Sequence, residues 1–266
     1  MAQNIAVIKK QNHPTIDFAA SEIQKYLKKA GLKQKFQITL DIENYDDEDR
    51  ILIKPQNNGY LITGSNPRSI LFGVYRFLTE LGFRWLRPGR RGEIIPDIKK
   101  IKRNIRINEK ASYRYRTLCI EGAASLQHIL DLIDWAAKNR MNGYFIQFDY
   151  GTHFFKRWYS HQDNPYMKPE KFDEEDAKKF VETIAKEVKK RDMRLEKMGH
   201  GWTCRALGIQ GEGWDPARNS ISEISEEKRN WIAMIDGKRE FFKNVPLNTN
   251  LCYSNPSVRS AIADAI

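Results

Sequence analysis

The chain has 266 residues, of which 41% are apolar and 30% are charged, and its formal net charge at pH 7 is +11. This composition predicts a soluble globular protein with one large domain or two ordinary ones. No apolar run is long enough to span a bilayer, and the N-terminus MAQNIAVIKK lacks the long apolar core of a signal peptide. The sequence therefore excludes a membrane-spanning protein and favours a cytoplasmic one.

The cysteines and histidines carry no metal or redox motif. Cys119, Cys204 and Cys252 are far apart and form no Cys-x-x-Cys pair, and the five histidines show no HExxH spacing. We therefore expect neither a metal ion nor a cofactor. Cys119 stands in an apolar run and is predicted to be a small residue of the core.

The excess positive charge lies in the first part of the chain. Residues 1–108 hold 20 Lys and Arg against 11 Asp and Glu, and much of this excess falls in the segment 84–106, called here the basic segment. An anionic partner, either nucleic acid or an acidic polysaccharide, would account for it. The alternative is a solvated loop and linker, because Pro88, Gly89, Gly92 and Pro96 interrupt the charges.

The pattern of residues 1–108 predicts the element order β-α-β-β-β-α. Alternating or continuous apolar runs predict strands, and Asn57-Asn58-Gly59 is a hairpin signal between two of them. Apolar spacing of three and four residues predicts two helices, the second opening at Asn66-Pro67. The strands are predicted over 4–9, 36–42, 50–54 and 60–63. The sequence thus predicts a compact α+β domain.

Beyond residue 108 the pattern changes to strands that alternate with helices. Strands are predicted over 117–122, 144–151 and 194–201, with helices over 126–137 and from Asp173 to Arg191 between them. This alternation is typical of a parallel sheet or barrel. A further helix is predicted from Asn255-Pro256 onward.

Each of the three predicted strands of this second part ends in a polar residue. Glu121 closes the first, Asp149 the second, and Gly199-His200-Gly201-Trp202 the third. Parallel α/β sheets and barrels bind ligands where the loops leave the strands. A site at that edge is therefore predicted, unless each group is satisfied locally.

Residues 58–96, which include Gly73-Val-Tyr-Arg-Phe-Leu-Thr-Glu-Leu-Gly82, resemble the N-terminal accessory domain of α-glucuronidases and β-hexosaminidases. They are most similar to a large family of poorly characterised glycoside hydrolases related to the α-glucuronidases. The resemblance implies a small α+β accessory domain over 1–108, followed by a (β/α)8 TIM-type barrel that begins in 109–266.

The second part resembles the β-hexosaminidase barrel more loosely. Arg116 and Glu121 stand where those enzymes begin and end their first strand, and Glu196 with Gly199-His200 fits their third. Leu251-Cys-Tyr-Ser-Asn-Pro256 matches a segment before a helix. The second strand lacks their His-Trp-His motif, and Met198 replaces a proline, which puts a hexosamine substrate in doubt.

The resemblance implies a carbohydrate-binding site, with roles for seven residues. Arg116 would donate to ring hydroxyls or a uronate carboxylate. Glu121, Asp149 and Glu196 would accept hydroxyl protons, and His200 would hydrogen-bond across the site. Trp202 and Tyr253 would stack on a sugar ring.

The resemblance also implies that the catalytic Asp-Glu pair follows Ile266, since the helix begun by Asn255-Pro256 precedes that strand in the related enzymes. A whole barrel needs about 250 residues, more than residues 109–266 supply. We therefore expect an N-terminal fragment of a glycoside hydrolase that lacks its catalytic acid.

Two other function classes remain open. One is a carbohydrate-binding module that never hydrolyses its ligand, and the other is nucleic-acid binding through the basic segment. Half a barrel would leave strand edges open, so self-association of the chain is also predicted.

Overall fold

A computed structural model describes residues 5–101, 104–119, 125–148, 155, 159–161, 164–209, 216, 221 and 224–265. The chain forms two compact units. The first comprises Met1–Cys119, Ala123–Phe145 and Lys179–Glu196, and the second Ile120–Gly122, Ile146–Lys178 and Lys197–Ile266. No helix in the described part of the chain combines the length and the apolarity needed to cross a membrane.

The first compact unit contains a five-stranded mixed sheet of β1 (Ile5–Lys9), β2 (Phe36–Ile42), β3 (Arg50–Gln56), β4 (Gly59–Gly64) and β7 (Ile107–Lys110). The strand order is β1-β2-β4-β3-β7. β1 pairs with β2 and β2 with β4 in parallel, whereas β3 is antiparallel to both β4 and β7. The predicted order β-α-β-β-β-α is confirmed. The two helices are α1 (Pro14–Lys29), between β1 and β2, and α2 (Pro67–Glu80), after β4.

Local capping explains where the two helices of this sheet begin. The His13 ring accepts a hydrogen bond from the Thr15 backbone, and Pro14 supplies the first residue of α1. Asn66 Oδ1 accepts from Ser69 N at 2.8 Å, as the Asn66-Pro67 signal predicts. α1 buries one apolar face, whereas α2 is buried on all sides from Pro67 to Leu78 apart from Arg76, and it packs on β3 and β4.

The hairpin between β3 and β4 is confirmed, but Gly59 lies in β4 and not in the loop. Gln56 pairs with Gly59, so the loop consists of Asn57 and Asn58, and Asn58 adopts φ 61°. A Cβ on Gly59 would overlap the backbone carbonyl of Gln37 in β2. Gly59 is therefore required by the close approach of the neighbouring strand.

The basic segment contains a short antiparallel hairpin of β5 (Arg84–Trp85) and β6 (Glu93–Ile94), with a 3-10 turn at Arg90–Gly92. Trp85 is buried, whereas Arg84, Leu86 and Ile94 are exposed. The fifth strand of the first sheet, β7, continues to Lys110, past the predicted domain boundary at residue 108, which stays a prediction.

The second part of the chain continues with β8 (Thr117–Cys119), α3 (Leu126–Lys138), β9 (Gly143–Phe148), α4 (Glu174–Lys190) and β10 (Arg194–His200). The three strands form a sheet in the order β10-β9-β8. β8 and β9 are parallel, which confirms the predicted βαβ unit, and Asp173 and Asp176 cap α4 reciprocally. The chain thus has a mixed α/β fold, and a barrel stays a proposal.

One packing prediction for this sheet is wrong. Cys119 is exposed, with the side chains of β8 only partly covered before it. Its apolar neighbours in the sequence suggested a core strand, but the large buried side chains among the described residues of this sheet are Tyr144 and Ile146 of β9.

The second compact unit packs short elements around an apolar cluster. These are α5 (Trp202–Leu207), α6 (Glu226–Arg229), α7 (Pro256–Ala265) and two 3-10 turns over Phe242–Asn244 and Pro246–Asn248. Ile232 and Val258 are fully buried in the cluster, and Ile232 bridges to Leu251. The helix predicted from Asn255-Pro256 is confirmed, with Asn255 Oδ1 accepting from Ser257 N at 2.9 Å.

Candidate functional site

The starts of β8, β9 and β10 are bound together by a network around Asp49, within the first compact unit. Asp49 is almost fully buried at the end of the acidic loop 44–49. Arg68 Nε donates to its Oδ1 at 2.8 Å, and Arg116 Nη2 donates to its Oδ2. Asn66, Ser69 and Asn142 add three further donors.

Burial would raise the pKa of the Asp49 carboxyl, but the charge of Arg68 and the hydrogen bonds from Arg116 and Asn66 outweigh it, so that the pKa is lowered. A buried carboxylate with this many donors stays ionised at neutral pH. It also fixes the positions of two arginines that are distant in the sequence.

Asn142, which precedes β9, connects the three strand starts. Its Oδ1 accepts from Arg116 N at 2.8 Å, and its Nδ2 donates to Arg114 O at 2.7 Å. Its backbone carbonyl accepts from Arg194 N, the first residue of β10, at 2.9 Å. All three strands therefore begin at one edge, and Asn142 is a buried residue whose role the sequence analysis missed.

Asp47 of the same loop holds a second set of cations at this edge. Its Oδ2 accepts from Arg114 at 2.6 Å and from Arg194 at 2.7 Å, and Arg68 donates to its backbone carbonyl at 3.0 Å. The hydrogen bond from Arg114 lowers the pKa of the Asp47 carboxyl. The acidic loop thus serves as a counter-charge for the strand starts.

Arg116 lies in this network and not at the edge where a ligand was predicted. Its Nε donates to Arg140 O at 2.8 Å, its Nη1 to Tyr113 O at 2.6 Å, and its Nη2 to Asp49. In parallel barrels the starts of the strands stabilise the fold, and the ends carry the chemistry. All three nitrogens of the Arg116 guanidinium are engaged in holding β8 in place.

Glu196 contacts β8 across the middle strand. Thr117 Oγ1 donates to Glu196 Oε1 at 3.1 Å, although β9 lies between β8 and β10. Gly143 of β9 pairs with Thr117, and a Cβ on Gly143 would overlap Thr117 Oγ1. Because glycine has no side chain, Gly143 leaves room for the Thr117 hydroxyl to reach Glu196.

The other predicted site residues lie in or after the later strands. Trp202 begins α5 directly after β10 and is half-buried, with Lys197 Nζ 5.8 Å from its ring centroid. Tyr253 is 54% exposed, and its carbonyl accepts from Arg259. His200 is the last residue of β10, and its side chain lies outside what the structure describes, as do Glu121 and Asp149 altogether.

A second polar cluster, around Lys138 of α3, was also missed by the sequence analysis. Lys138 Nζ donates to Glu93 at 3.1 Å and to Asp134, and Arg191 Nη2 donates to Asp134 at 2.9 Å. Burial would lower the pKa of Lys138, but the charge of Asp134 outweighs burial and raises it, so the ammonium stays charged. Asp134 and Lys138 are four residues apart on α3, but Glu93 and Arg191 lie 45 and 57 residues from their partners, and local patterns carry no signal for those two pairs.

Among the described residues, no group of three or more His, Cys, Asp or Glu side chains could hold a metal ion.

No protein-family model matches this chain, and no curated protein matches it significantly. Solved structures do match. A GH138 enzyme targeting pectin rhamnogalacturonan II has a TM-score of 0.52 at 14% identity over 85% of this chain and 36% of its own. A family 89 glycoside hydrolase from Clostridium perfringens, in complex with 2-acetamido-1,2-dideoxynojirmycin, has a TM-score of 0.50 at 12% identity over 84% and 27%.

A chitobiase from Flavobacterium johnsoniae reaches a TM-score of only 0.46, at 13% identity over 74% of this chain and 31% of its own. This chain spans about a third of the length of these solved structures. The first two likenesses show a glycoside-hydrolase-like fold and do not single out the α-glucuronidases.

Proposed function

We propose that this chain is part of a carbohydrate-acting protein of the glycoside hydrolase type. The observation that carries the proposal is the likeness to two glycoside hydrolase structures over 84–85% of the chain, more than either compact unit contains. The parallel β8-α3-β9 unit, followed by α4 and β10, supports an early part of a barrel. The motifs shared with α-glucuronidases and β-hexosaminidases point in the same direction.

The proposed ligand is a glycan bound where β8, β9 and β10 end. Trp202 follows β10 directly, and Tyr253 is exposed in the same compact unit, so both supply aromatic surface for a sugar ring. Glu121, Asp149 and His200 remain proposed hydroxyl ligands from their positions in the sequence. We leave Arg116 out of the site, because its donors are engaged at the strand starts.

The proposal assigns no catalytic acid or base to the described residues. Glycoside hydrolysis requires two carboxyl groups on either side of the scissile bond, about 5–10 Å apart. Glu196 already accepts the Thr117 hydroxyl within the first compact unit. We propose that residues which follow Ile266 in a longer protein supply the pair, so that residues 1–266 bind glycans without hydrolysing them.

The experiment is affinity electrophoresis of residues 1–266 through gels that contain a panel of neutral and acidic polysaccharides. At least one glycan should retard the protein, and Trp202→Ala should weaken that binding about fivefold, since a lost aromatic contact costs roughly 1 kcal/mol. Tyr166→Ala is the control, because Tyr166 is 93% exposed in the same unit and has no proposed role.

Retardation that Trp202→Ala and Tyr166→Ala reduce equally would contradict the site, and no retardation by any glycan would contradict the function. Assays for new reducing ends separate the remaining alternatives. Hydrolysis by a longer gene product supports the enzyme, whereas binding without hydrolysis by the complete gene product supports a carbohydrate-binding module.

A further inference from the structure

The first compact unit contains a cleft that the proposed glycan site does not use. Its volume is about 620 Å³, within the range of small-molecule sites. The C-terminal part of α2, the β5 strand, β7 and the end of α3 surround it. Its charged lining residues are Arg76, Glu80, Arg84, Glu109, Lys138 and Arg140.

Four of these side chains are cationic and two are anionic, so the lining carries an excess of positive charge. Glu109 accepts from Arg76 Nε at 2.9 Å and from Arg140 Nη1 at 2.8 Å, which fixes both guanidinium groups at the wall. Lys138 is already bound to Glu93 and Asp134, so it contributes mainly its apolar stem.

Arg84 and Arg140 retain hydrogen-bonding capacity. Arg84 uses only Nη1, which donates to Thr79 O and Phe83 O at 2.7 Å, and Arg140 uses only Nη1 for Glu109. In the described part of the chain, their Nε and Nη2 groups have no acceptor. A guanidinium with Nε and Nη2 available presents the two parallel donors that a carboxylate accepts.

The lining carries both positive and negative side chains, and this restricts the chemistry of the ligand further. Glu80 and Glu109 accept hydrogen bonds from Arg76 and Arg140, and an ionised phosphodiester has no donor to offer them. The same two carboxylates are acceptors for hydroxyl groups. A ligand with one carboxylate and several hydroxyls therefore fits both sets of groups, with Leu86 as exposed apolar surface at the rim.

We propose that this cleft is an accessory binding site for a uronic acid unit of a saccharide, with Arg84 and Arg140 as the carboxylate ligands. The site is separate from the glycan site proposed at the strand ends, and it holds its ligand without cleaving it. Its function would be to tether the protein to an acidic polysaccharide.

The test is ligand-observed NMR of residues 1–266 with D-glucuronate and D-glucose, which differ at C6 by a carboxylate against a hydroxymethyl group. Glucuronate should show saturation transfer and glucose much less. Arg84→Gln should weaken glucuronate binding about 10- to 100-fold, as expected for loss of hydrogen bonds to a charged group. Arg229→Gln, at an exposed arginine in the second compact unit, should leave binding unchanged.

A second variant keeps the test valid if Arg84→Gln unfolds the hairpin. Leu86 is 68% exposed, so Leu86→Glu should fold and should weaken glucuronate binding several-fold by charge repulsion, whereas Leu86→Gln should not.

Equal binding of glucose and glucuronate, or glucuronate binding that survives both Arg84→Gln and Leu86→Glu, would overturn the proposal. Displacement of glucuronate by inorganic phosphate at equal concentration would show a general anion site and would overturn the uronic acid assignment. Trp202→Ala should leave glucuronate binding intact, so failure of this site and failure of the proposed glycan site give different results.

Discussion

The two compact units use their polar groups differently. In the first, the buried carboxylates of Asp49 and Glu22 accept hydrogen bonds from Arg116 and Tyr75, which lie 67 and 53 residues away in the sequence. In the second, the described polar contacts are mostly short-range and go to backbone carbonyls. Thr249 donates to Val245 O, Arg239 to Ile232 O and Arg259 to Tyr253 O.

This difference predicts how strongly each unit depends on individual polar side chains. A buried charge pair is costly to break, because one partner remains desolvated without its counter-charge. A side chain bonded to a nearby carbonyl can be replaced by water at a much smaller cost. The first compact unit should therefore be sensitive to single polar substitutions, and the second should depend more on its apolar cluster.

The largest effect is expected for Asp49→Asn. The substitution keeps the shape but leaves Arg68 and Arg116 without their buried counter-charge, so the free energy of unfolding should fall by about 3–5 kcal/mol. Urea denaturation followed by tryptophan fluorescence measures it. Asp97→Asn is the control, because the exposed Lys99–Asp97 pair should contribute less than about 1 kcal/mol. Similar losses in the two variants would show that burial of the charge pair does not set its cost.

A smaller loss is expected for Gly143→Ala. The new Cβ would overlap Thr117 Oγ1, and overpacking of this kind costs about 1–3 kcal/mol. Thr117→Ala removes the obstructing hydroxyl, so the double variant should lose less stability than the two single losses together. Additive losses in the same denaturation assay would show that Gly143 does not serve the Thr117–Glu196 contact.

A change of pH near neutrality should affect the stability of the folded chain less than either substitution, and the loss of stability should appear only in acid. The pKa of Asp49 is lowered in the folded chain, so its stabilising contribution is present above the unfolded pKa of about 4 and is lost as the pH falls through the folded value. Thermal unfolding midpoints should therefore decline below about pH 4. Asp49→Asn should reduce that slope, and an unchanged slope would assign the acid sensitivity to other carboxyls.

The smallest effect on stability is expected for Cys119→Ser, within about 0.5 kcal/mol, because this side chain is exposed. The thiol of Cys119 should react with Ellman's reagent in the folded protein, whereas buried Cys204 should react only on unfolding. Loss of one fast-reacting thiol in Cys119→Ser would confirm the assignment. A Cys119 thiol that does not react in the folded protein would contradict its exposure and would favour the buried position that its sequence context suggested.

Much of the local structure was predictable from the sequence. The capping signals at Asn66-Pro67 and Asp173 and the hairpin at Asn57–Asn58 act within a few residues, so their patterns are sufficient. The strand-helix-strand alternation around α3 was predictable for the same reason. For the candidate site, the sequence predicted only which residues stand at the ends of the strands. Neither the resemblance nor the strand pattern determines what those residues contact.

The contacts of Arg116 and Cys119 were beyond sequence reasoning. Arg116 has the residue type of a sugar ligand, but which carboxylate it contacts depends on how a loop 67 residues earlier reaches it. Cys119 has apolar neighbours, but exposure depends on which face of β8 is covered. No local pattern encodes either fact.

The amino-acid sequence by itself determined the order of helices and strands, because periodicity, caps and turns are properties of neighbouring residues. The tertiary structure alone decided that the acidic loop would neutralise the strand starts, that Gly143 would clear space for Thr117, and that Arg84 and Arg140 would line one cleft. Those outcomes depend on charges and atoms that are distant along the chain and meet only when the sheets and helices pack.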